Sequence, residues 1–323
     1  MNNLAPIALF TYNRPSHTRQ TIEALAKNDL ASQSKLFVFS DGAKSSEDEP
    51  QVEKVRQYLN NISGFHSTQI IRRDANSGLS RNIIDGVTWL LNDYESVIVL
   101  EDDLETHPNF LRYMNHSLKL YAEEPDVVCI HGYVPSIKQR LPETFFIKGA
   151  DCWGWATWKR GWEIFNPNAQ QLLDEIEARN LSRRFNFNNS YHYTSMLRQQ
   201  VERKIDSWAI RWYASAFLKD KLTLYPNRSF VKNIGFDGSG RHCSDLPVKE
   251  SGKPMLLNPE QEKIPIIENE KAYKAFVFNY RCQKLRWKLQ TISRIFKSKC
   301  SCAGFKQVIF NIMQKISTFA DKI

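Results

Sequence analysis

The first 133 residues alternate short apolar runs with helix-like segments, and this alternation restricts the fold more than any other feature. Five runs have the length and composition of buried strands, and they occupy residues 5–12, 35–42, 68–74, 96–103 and 126–133. Between the first two runs, Ile22, Leu25 and Ala26 are spaced so that they share one helix face. Strands that alternate with helices predict an α/β fold, with a mostly parallel sheet covered by helices on both faces.

Polar residues follow three of these predicted strands, at the point where each strand ends. They are residues 11–14, 40–42 and 101–103. In open parallel sheets, ligands bind at the carboxyl ends of the strands. We therefore expect the three polar turns to contribute to one binding site.

The third turn consists of three consecutive carboxylates, Glu101, Asp102 and Asp103, directly after the apolar run VIVL. Carboxylate oxygens are the ligands that Mg²⁺ and Mn²⁺ prefer, and these ions bind one or two carboxylates together with substrate phosphates. The turn therefore predicts a cation site with Asp103 as a ligand. A solvated acidic turn is the alternative, and Glu105, the next acid, is assigned to the surface.

Three other polar residues each allow two interpretations. Asp41 in FSDG is either a turn residue or an acceptor for a nucleobase N–H or a ribose hydroxyl. Arg81 lies near the start of a predicted helix, where it either faces solvent or binds a phosphate or a base. His242, in the Gly-rich stretch 234–245, is either an isolated loop histidine or a metal ligand.

The second half of the chain adds an acid and an aromatic cluster. Asp206 is either the N-cap of a helix or a general base that Trp208 and Trp212 partly screen from water. Four tryptophans between residues 153 and 162 form either part of the core or a stacking surface for a sugar ring.

The net charge of +9 is concentrated at the C-terminal end of the chain. Of the 44 Lys and Arg and the 35 acidic residues, residues 271–323 contain 12 and one, so this segment carries +11 and the rest −2. A slightly acidic body argues against a nucleic-acid binder. Leu285, Leu289 and Ile292 begin a helical apolar pattern, which predicts two basic amphipathic helices at an anionic membrane surface. Docking of these helices on the body, or an oligomer contact, is the alternative.

Six segments resemble, in this order, nucleotide-sugar glycosyltransferases of the GT-A fold. They are ALFTYNRPSHTRQTIEAL, FVFSDG, NSGLSRNIIDGV, VIVLEDDLE, CWGWATWKRGW and IDSWAIRW. The resemblance spans residues 4–243 and concerns bacterial family 2-type enzymes and the related N-acetylglucosaminyltransferase I group. It implies a Rossmann-like GT-A domain over residues 1–244, and composition predicts a linker over 245–270 and the helical tail over 271–323.

The resemblance implies roles for individual residues. Asp103 matches the ligand of a Mn²⁺ or Mg²⁺ ion, His242 falls near a further ligand, and Asp206 matches the base of inverting enzymes. The positions that match nucleotide-binding residues are Thr11, Tyr12, Arg14, Asp41, Arg81 and Asp102. The positions that match the donor-sugar and acceptor region are Glu101, Trp153, Gly154 and Trp155. The usual Asp-x-Asp triplet is Glu-Asp-Asp here, as in the N-acetylglucosaminyltransferase I-like subgroup.

The implied function is metal-assisted, inverting transfer of a sugar from a nucleotide-diphosphate sugar to a glycan or lipid-linked acceptor. The expected setting is cell-surface polysaccharide synthesis, such as lipopolysaccharide O-antigen or capsule, at the cytoplasmic face of the cell membrane. A sugar nucleotidyltransferase is one alternative, but such enzymes usually carry a Gly-rich phosphate loop, and FTYNRPSHT contains no Gly. A non-catalytic, membrane-associated binding protein is the other alternative.

Overall fold

The structure, a computed structural model, describes residues 4–238 and 260–299, without the side chains of residue 290 and residues 292–299. The strands are β1 (Ile7–Thr11), β2 (Lys35–Ser40), β3 (Ser67–Arg72), β4 (Ser96–Glu101), β5 (Leu104–Thr106), β6 (Val127–His131), β7 (Thr144–Ile147), β8 (Trp155–Trp158), β9 (Leu222–Pro226) and β10 (Val231–Asn233). The helices are α1 (Pro15–Ala26), α2 (Glu49–Leu59), α3 (Leu79–Asp93), α4 (Phe110–Leu120), α5 (Lys159–Trp162), α6 (Ala169–Ala178), α7 (Ser182–Phe185), α8 (Tyr193–Val201), α9 (Trp208–Leu218) and α10 (Glu270–Lys299).

Eight strands form one sheet in the order β3-β2-β1-β4-β8-β6-β9-β7. The first four run parallel to one another, and β6 runs parallel to β9, whereas β8 and β7 are antiparallel to their neighbours. This arrangement confirms the predicted α/β fold with a mostly parallel sheet.

Both faces of the sheet are covered by helices, as the apolar runs predict. In β1, Ala8 and Phe10 pack in the same core as α3 and α9, while Ile7 and Leu9 pack in the core that contains α1 and α4. Because successive side chains of a strand point to opposite faces, a strand buried on both faces must be apolar throughout.

The direction of the strands brings several chain segments to one edge of the sheet. The carboxyl ends of β1, β2, β4, β6 and β9 lie on this edge, because all of these strands run in the same direction. Strand β8 runs the opposite way, and its first residue, Trp155, pairs with Val99 and His131. The segment that leads into β8 therefore lies on the same edge as the acidic turn.

The sequence indicates a strand pair within residues 222–233, and this interpretation is wrong in one respect. Two strands form, but β9 joins the main sheet and β10 pairs with β5. Phe230, between the two strands, is buried and stacks on Tyr113, with 4.5 Å between the ring centroids. Burial of this ring diverts the chain away from the main sheet and towards β5.

The beginning of the predicted tail belongs to the core of the body. Ala272, Phe276 and Tyr280 of α10 are buried in the same core as Trp155. Further along the helix, Leu285 and Trp287 of the described residues are exposed. The second amphipathic segment lies outside the described residues, and the domain limits stay a prediction. None of the helices within residues 4–238 and 260–299 is both long and apolar enough to span a bilayer.

Candidate active site

The centre of the candidate site is a group of charged side chains after β1 and β4. Arg14 Nη2 lies 2.5 Å from Asp102 Oδ1 and 2.8 Å from Asp103 Oδ2. The backbone N–H of Tyr12 donates to Asp102 Oδ2 at 3.3 Å, and the Thr21 hydroxyl donates to the backbone carbonyl of Asp102 at 2.9 Å. The structure therefore brings the turn after β1 into contact with the acidic turn.

Burial and mutual repulsion shift the protonation equilibria of this group. Burial, together with the neighbouring carboxylates of Asp103 and Asp102, raises the pKa of Glu101 to about 8, against the opposing effect of Arg14. Burial also raises the pKa of Asp102, and Arg14 again opposes the shift. Burial alone lowers the pKa of Arg14, but Asp102 and Asp103 outweigh it, so the net shift is upward. Two of the three carboxylates pair with Arg14, and the raised pKa values of Glu101 and Asp102 indicate a site that a further cation would stabilise.

The segment after β10 lies directly against this acidic group. The backbone N–H of Ile234 donates to the backbone carbonyl of Asp103 at 2.8 Å. A Cβ atom on Gly235 would lie 2.3 Å from Asp103 Oδ2 and 3.0 Å from Arg14 Nη1, so only glycine fits without a shift. Gly235 is not among the predicted site residues, although the Gly-rich composition of residues 234–245 is a signal for close approach of the backbone.

Trp153 packs against this segment. Its half-buried ring lies 4.6 Å from the Tyr133 ring and 5.6 Å from the Phe236 ring, measured between centroids. Gly154 has a φ of +64° and accepts a hydrogen bond at its carbonyl from the backbone N–H of Gly132. The positive φ lets the chain turn into β8 and leaves Trp153 at the sheet edge, where an aromatic ring can stack on a sugar.

The prediction that Trp155 contacts the sugar or the acceptor is wrong. Trp155 is fully buried, and its ring stacks on Trp208 with 5.1 Å between centroids. Trp158 and Trp162 are buried as well. The cause is the position of β8 between β4 and β6, because a side chain in the middle of a covered sheet points into a core. Of the four tryptophans, Trp153 alone retains the predicted stacking role.

Asp41 has a structural role that the sequence did not show. Its carboxylate accepts hydrogen bonds from the backbone N–H groups of Gly42, Ser77 and Gly78 and from the Asn76 side-chain amide, all between 2.9 and 3.0 Å. A carboxylate has about four acceptor sites. The predicted contact with a nucleotide therefore does not fit this conformation, in which Asp41 holds the loop that leads into α3.

The side chains of Arg81 and Asp206 are both largely exposed, and the roles predicted for them stay predictions. The Arg81 side chain is 73% exposed, and its Nε lies 3.6 Å from Asp85 on the surface of α3. The Asp206 side chain is 65% exposed and lies 3.2 Å from Arg211. Trp208 is buried in the core, so it does not screen Asp206 from water.

The remaining predictions concern Asp206 as a helix cap, Thr11, Tyr12 and His242. Ser207, not Asp206, caps α9, because its hydroxyl accepts the N–H of Ile210. Thr11 is buried at the end of β1, and the Tyr12 hydroxyl accepts a hydrogen bond from the backbone N–H of Lys44 at 3.1 Å. His242 lies outside the described residues.

The residues at the sheet edge fit a Mg²⁺ or Mn²⁺ ion that shares its coordination with a substrate. Within residues 4–238 and 260–299, no three His, Cys, Asp or Glu side chains form a site that could hold a metal by themselves. Such ions need one or two carboxylates in addition to phosphate and water oxygens. The Asp103 side chain is 14% exposed and that of Asp102 is 8% exposed, so Asp103 is the more accessible of the two.

Residues 7–205 match the family described as Glycosyl transferase family 2. The matched range covers more than half of the chain and includes β1 to β8 and the acidic group. The chain belongs to this family. The predicted family 2-type glycosyltransferase is thus confirmed at the level of the family, and the closer relation to the N-acetylglucosaminyltransferase I group stays a prediction.

This family 2 glycosyltransferase is also similar to several solved structures. The mannosyltransferase PcManGT from Pyrobaculum calidifontis, in complex with GDP-Man and Mn²⁺, is 14% identical over 41% of this chain and 36% of its own, with a TM-score of 0.29. TarS from S. aureus is 13% identical over 71% of this chain and 36% of its own, with a TM-score of 0.39. Mouse xyloside xylosyltransferase 1, in its apo form, is 11% identical over 66% of this chain and 81% of its own, with a TM-score of 0.33.

The family 2 chain spans 36% of the length of the first two of these proteins. The comparison with curated proteins finds no match.

Proposed function

We propose that this family 2 glycosyltransferase moves a sugar from a nucleotide-diphosphate sugar to a hydroxyl of a glycan or lipid-linked acceptor, with inversion and with Mn²⁺ or Mg²⁺. The supporting observation is the contact of Arg14 with Asp102 and Asp103 at the carboxyl edge of the sheet. A guanidinium beside the partly exposed Asp103 carboxylate suits a diphosphate, because arginine binds phosphate oxygens and a carboxylate binds the cation that accompanies them.

Asp103 would hold the ion, which supplies charge stabilisation for the departing nucleoside diphosphate when it is bound, and Glu101 would contact the donor sugar. Arg14 binds the phosphate oxygens, and Asp102 orients Arg14 through the 2.5 Å contact. Trp153 offers its ring to the sugar. Asp206 accepts the proton of the acceptor hydroxyl. As it does so, the hydroxyl oxygen bonds to the anomeric carbon and the bond from this carbon to the diphosphate breaks. Attack opposite the leaving group inverts the anomeric centre.

The proposed setting is cell-surface polysaccharide synthesis at the cytoplasmic face of the cell membrane, by an enzyme of the N-acetylglucosaminyltransferase I-like subgroup. The Glu-Asp-Asp triplet supports the subgroup. The net charge of the tail, together with Leu285 and Trp287 exposed on α10, supports binding to an anionic membrane surface.

The test of this function is a panel of nucleotide sugars given to the full chain with Mn²⁺, with Mg²⁺ or with EDTA. The readouts are release of nucleoside diphosphate and the mass of the glycosylated product. We expect release that depends on the metal, and a loss of about 100-fold in Asp103→Asn, because a misplaced reaction centre costs about this much. Glu105→Gln, which changes the exposed fourth acid, is the matched control and should keep full activity. Full transfer by Asp103→Asn would exclude the proposed ligand.

The role of Asp206 needs a separate variant. General-base catalysis contributes about 100-fold or more, so Asp206→Asn should lower kcat by that factor and leave donor binding unchanged. Asp174→Asn, an exposed change on α6, is the control. A wild-type rate in Asp206→Asn would show that another group accepts the proton.

A further inference from the structure

A cavity of about 980 Å³ lies at the carboxyl edge of the sheet, apart from the acidic group. Three segments form its walls: the loop 134–143 after β6, residues 227–228 after β9, and residues 269 and 271 at the start of α10. These walls contain none of the residues that the proposed transfer uses. We call this cavity the basic pocket.

The charge of the basic pocket is opposite to that of the body. Among the described residues that line it, Lys138, Arg140, Arg228 and Lys271 are cationic, and Glu143 is acidic. This lining carries a net charge of +3, whereas the whole chain before residue 271 carries −2. A concave surface with an excess of one charge raises the local concentration of ligands of the opposite charge.

One wall of the basic pocket also contains an unsatisfied polar atom. Asn227 Oδ1 is buried and has no hydrogen-bond partner among the described residues, while the backbone N–H of Asn227 donates to the carbonyl of Glu143 at 2.8 Å. A buried carbonyl oxygen without a donor costs free energy. A hydroxyl group of a bound molecule would satisfy this atom, so the lining suits a ligand with both anionic groups and hydroxyls.

The walls are connected to one another by hydrogen bonds. The backbone N–H of Val134 donates to the Ser229 hydroxyl at 2.9 Å, and this hydroxyl lies 2.9 Å from the carbonyl of Val134. The Asn279 side-chain amide of α10 donates to the carbonyl of Ser136 at 2.7 Å. The loop after β6 is therefore held both by the turn after β9 and by α10, and the pocket is formed before a ligand binds.

A series of contacts leads from the acidic group to the basic pocket. Gly235 lies against Asp103, and its neighbour Phe236 packs on Trp153. Trp153 in turn packs on Tyr133, which directly precedes the pocket residue Val134. The basic pocket is thus joined to the proposed donor site through Trp153, the aromatic residue that we assign to the sugar.

We propose that the basic pocket binds a phosphate or diphosphate group of the acceptor, which makes the acceptor substrate an anionic, phosphate-bearing saccharide. This inference rests on the proposed function. Two of the four cations are arginines, whose planar guanidinium groups match phosphate oxygens in a bidentate manner. The volume suits a diphosphate together with an attached sugar, since pockets of about 300–1,000 Å³ hold ligands of that size. Helix α10 leads from Lys271 towards the basic tail, so a lipid-linked phosphate at a membrane would meet both surfaces.

The test uses three probes with the full chain in EDTA: farnesyl diphosphate, inorganic pyrophosphate and uncharged farnesol. Calorimetry should show binding of both phosphate probes and no binding of farnesol, and the affinity should fall with salt. Tighter binding of farnesyl diphosphate than of pyrophosphate indicates a lipid-linked phosphate, and equal affinity indicates recognition of the phosphate alone. Absence of binding by both phosphate probes would overturn the proposal.

Variants test whether the binding occurs in the pocket. The double variant with Lys138→Gln and Arg140→Gln, the Gln pair, should lower the affinity for both phosphate probes about tenfold, which corresponds to about 1.4 kcal/mol. The charge-conserving double variant with Lys138→Arg and Arg140→Lys should bind both phosphate probes with nearly wild-type affinity. The same is expected for the double variant with Lys54→Gln and Lys119→Gln, which changes two exposed lysines outside the pocket lining. Unchanged binding in the Gln pair, together with loss in Arg14→Met, would place the phosphate in the donor site and refute the proposal.

Donor hydrolysis separates this inference from the proposed function. Slow release of nucleoside diphosphate from the donor without an acceptor needs Arg14 and Asp103 but not the basic pocket, so the Gln pair should retain it while its KM for a phosphate-bearing acceptor rises. Failure of all donors with the wild-type chain would refute the proposed function. Intact donor hydrolysis together with no binding of the phosphate probes would refute the role of the basic pocket but not the proposed function.

Discussion

Replacement of Gly235 by alanine tests whether the position of the Asp103 carboxylate controls the reaction. The added Cβ would lie 2.3 Å from Asp103 Oδ2, whereas ordinary contact begins at 3.4 Å. The carboxylate must therefore move by about 1 Å, and a misplacement of that size costs about 100-fold in rate. Arg14 Nη1, 3.0 Å from the same Cβ, restricts the direction of this movement.

Folding should change much less than activity. Gly235 is not among the residues with positive φ, so its backbone accepts alanine. The atom that the new methyl group meets first is the end of a side chain, which can shift. We expect a loss of less than about 1 kcal/mol in the free energy of unfolding, at the low end of the usual effect of single substitutions.

The assay measures kcat/KM for nucleoside diphosphate release, the apparent affinity for Mn²⁺, and thermal unfolding of the same preparation. Gly238→Ala is the control, because a Cβ there meets no described atom within 4 Å, although the φ of +88° makes the backbone less favourable. A Gly235→Ala variant with unchanged kcat/KM would refute the argument. An equal loss in Gly238→Ala would assign the effect to the loop backbone rather than to the carboxylate.

Three further outcomes follow from contacts described above. Asp41→Ala removes an acceptor of four hydrogen bonds and should lower the free energy of unfolding in urea by about 2–4 kcal/mol; a change below about 1 kcal/mol would contradict its structural role. Trp153→Ala should raise the KM for the donor about tenfold with little change in stability, whereas Trp155→Ala, in the core, should cost about 3–5 kcal/mol of stability; equal stability of the two variants would contradict the assignment. Truncation after Lys299 keeps the core residues of α10 and should weaken sedimentation with phosphatidylglycerol vesicles but not with phosphatidylcholine vesicles, by about 1 kcal/mol for each lysine lost; unchanged sedimentation would argue against a membrane role for residues 300–323.

The alternating pattern of the sequence was sufficient for the fold class. Strands such as β1 and β4 are buried on both faces, so they appear in the sequence as uninterrupted apolar runs that end in polar turns. Because the strands are parallel, these turns lie on one edge of the sheet whatever the arrangement of the helices. This is why the turn that contains Arg14 and the acidic turn could be expected to contribute to one site.

Roles that depend on partners distant in sequence could not be predicted in the same way. In sequence, Asp41 matches a nucleotide-binding carboxylate, but in the structure its oxygens accept hydrogen bonds from the loop around Ser77. Trp153 and Trp155 are equivalent in sequence, and the insertion of β8 between β4 and β6 sends one to the sheet edge and the other into the core. Strand β10 pairs with β5 rather than with β9, because Phe230 is buried against Tyr113.

Local apolar patterns are sufficient to predict the α/β class, the succession of the first strands along the chain and the position of the acidic triplet at the end of a strand. Three features are visible only in the tertiary structure: which carboxylate is the more accessible, why a side chain at position 235 would clash, and where the basic pocket lies. Each of these depends on segments far apart in the chain that meet at one sheet edge. The spacing of residues within one segment does not predict such long-range contacts, since they arise from the packing of β8, β10 and α10 against the parallel strands.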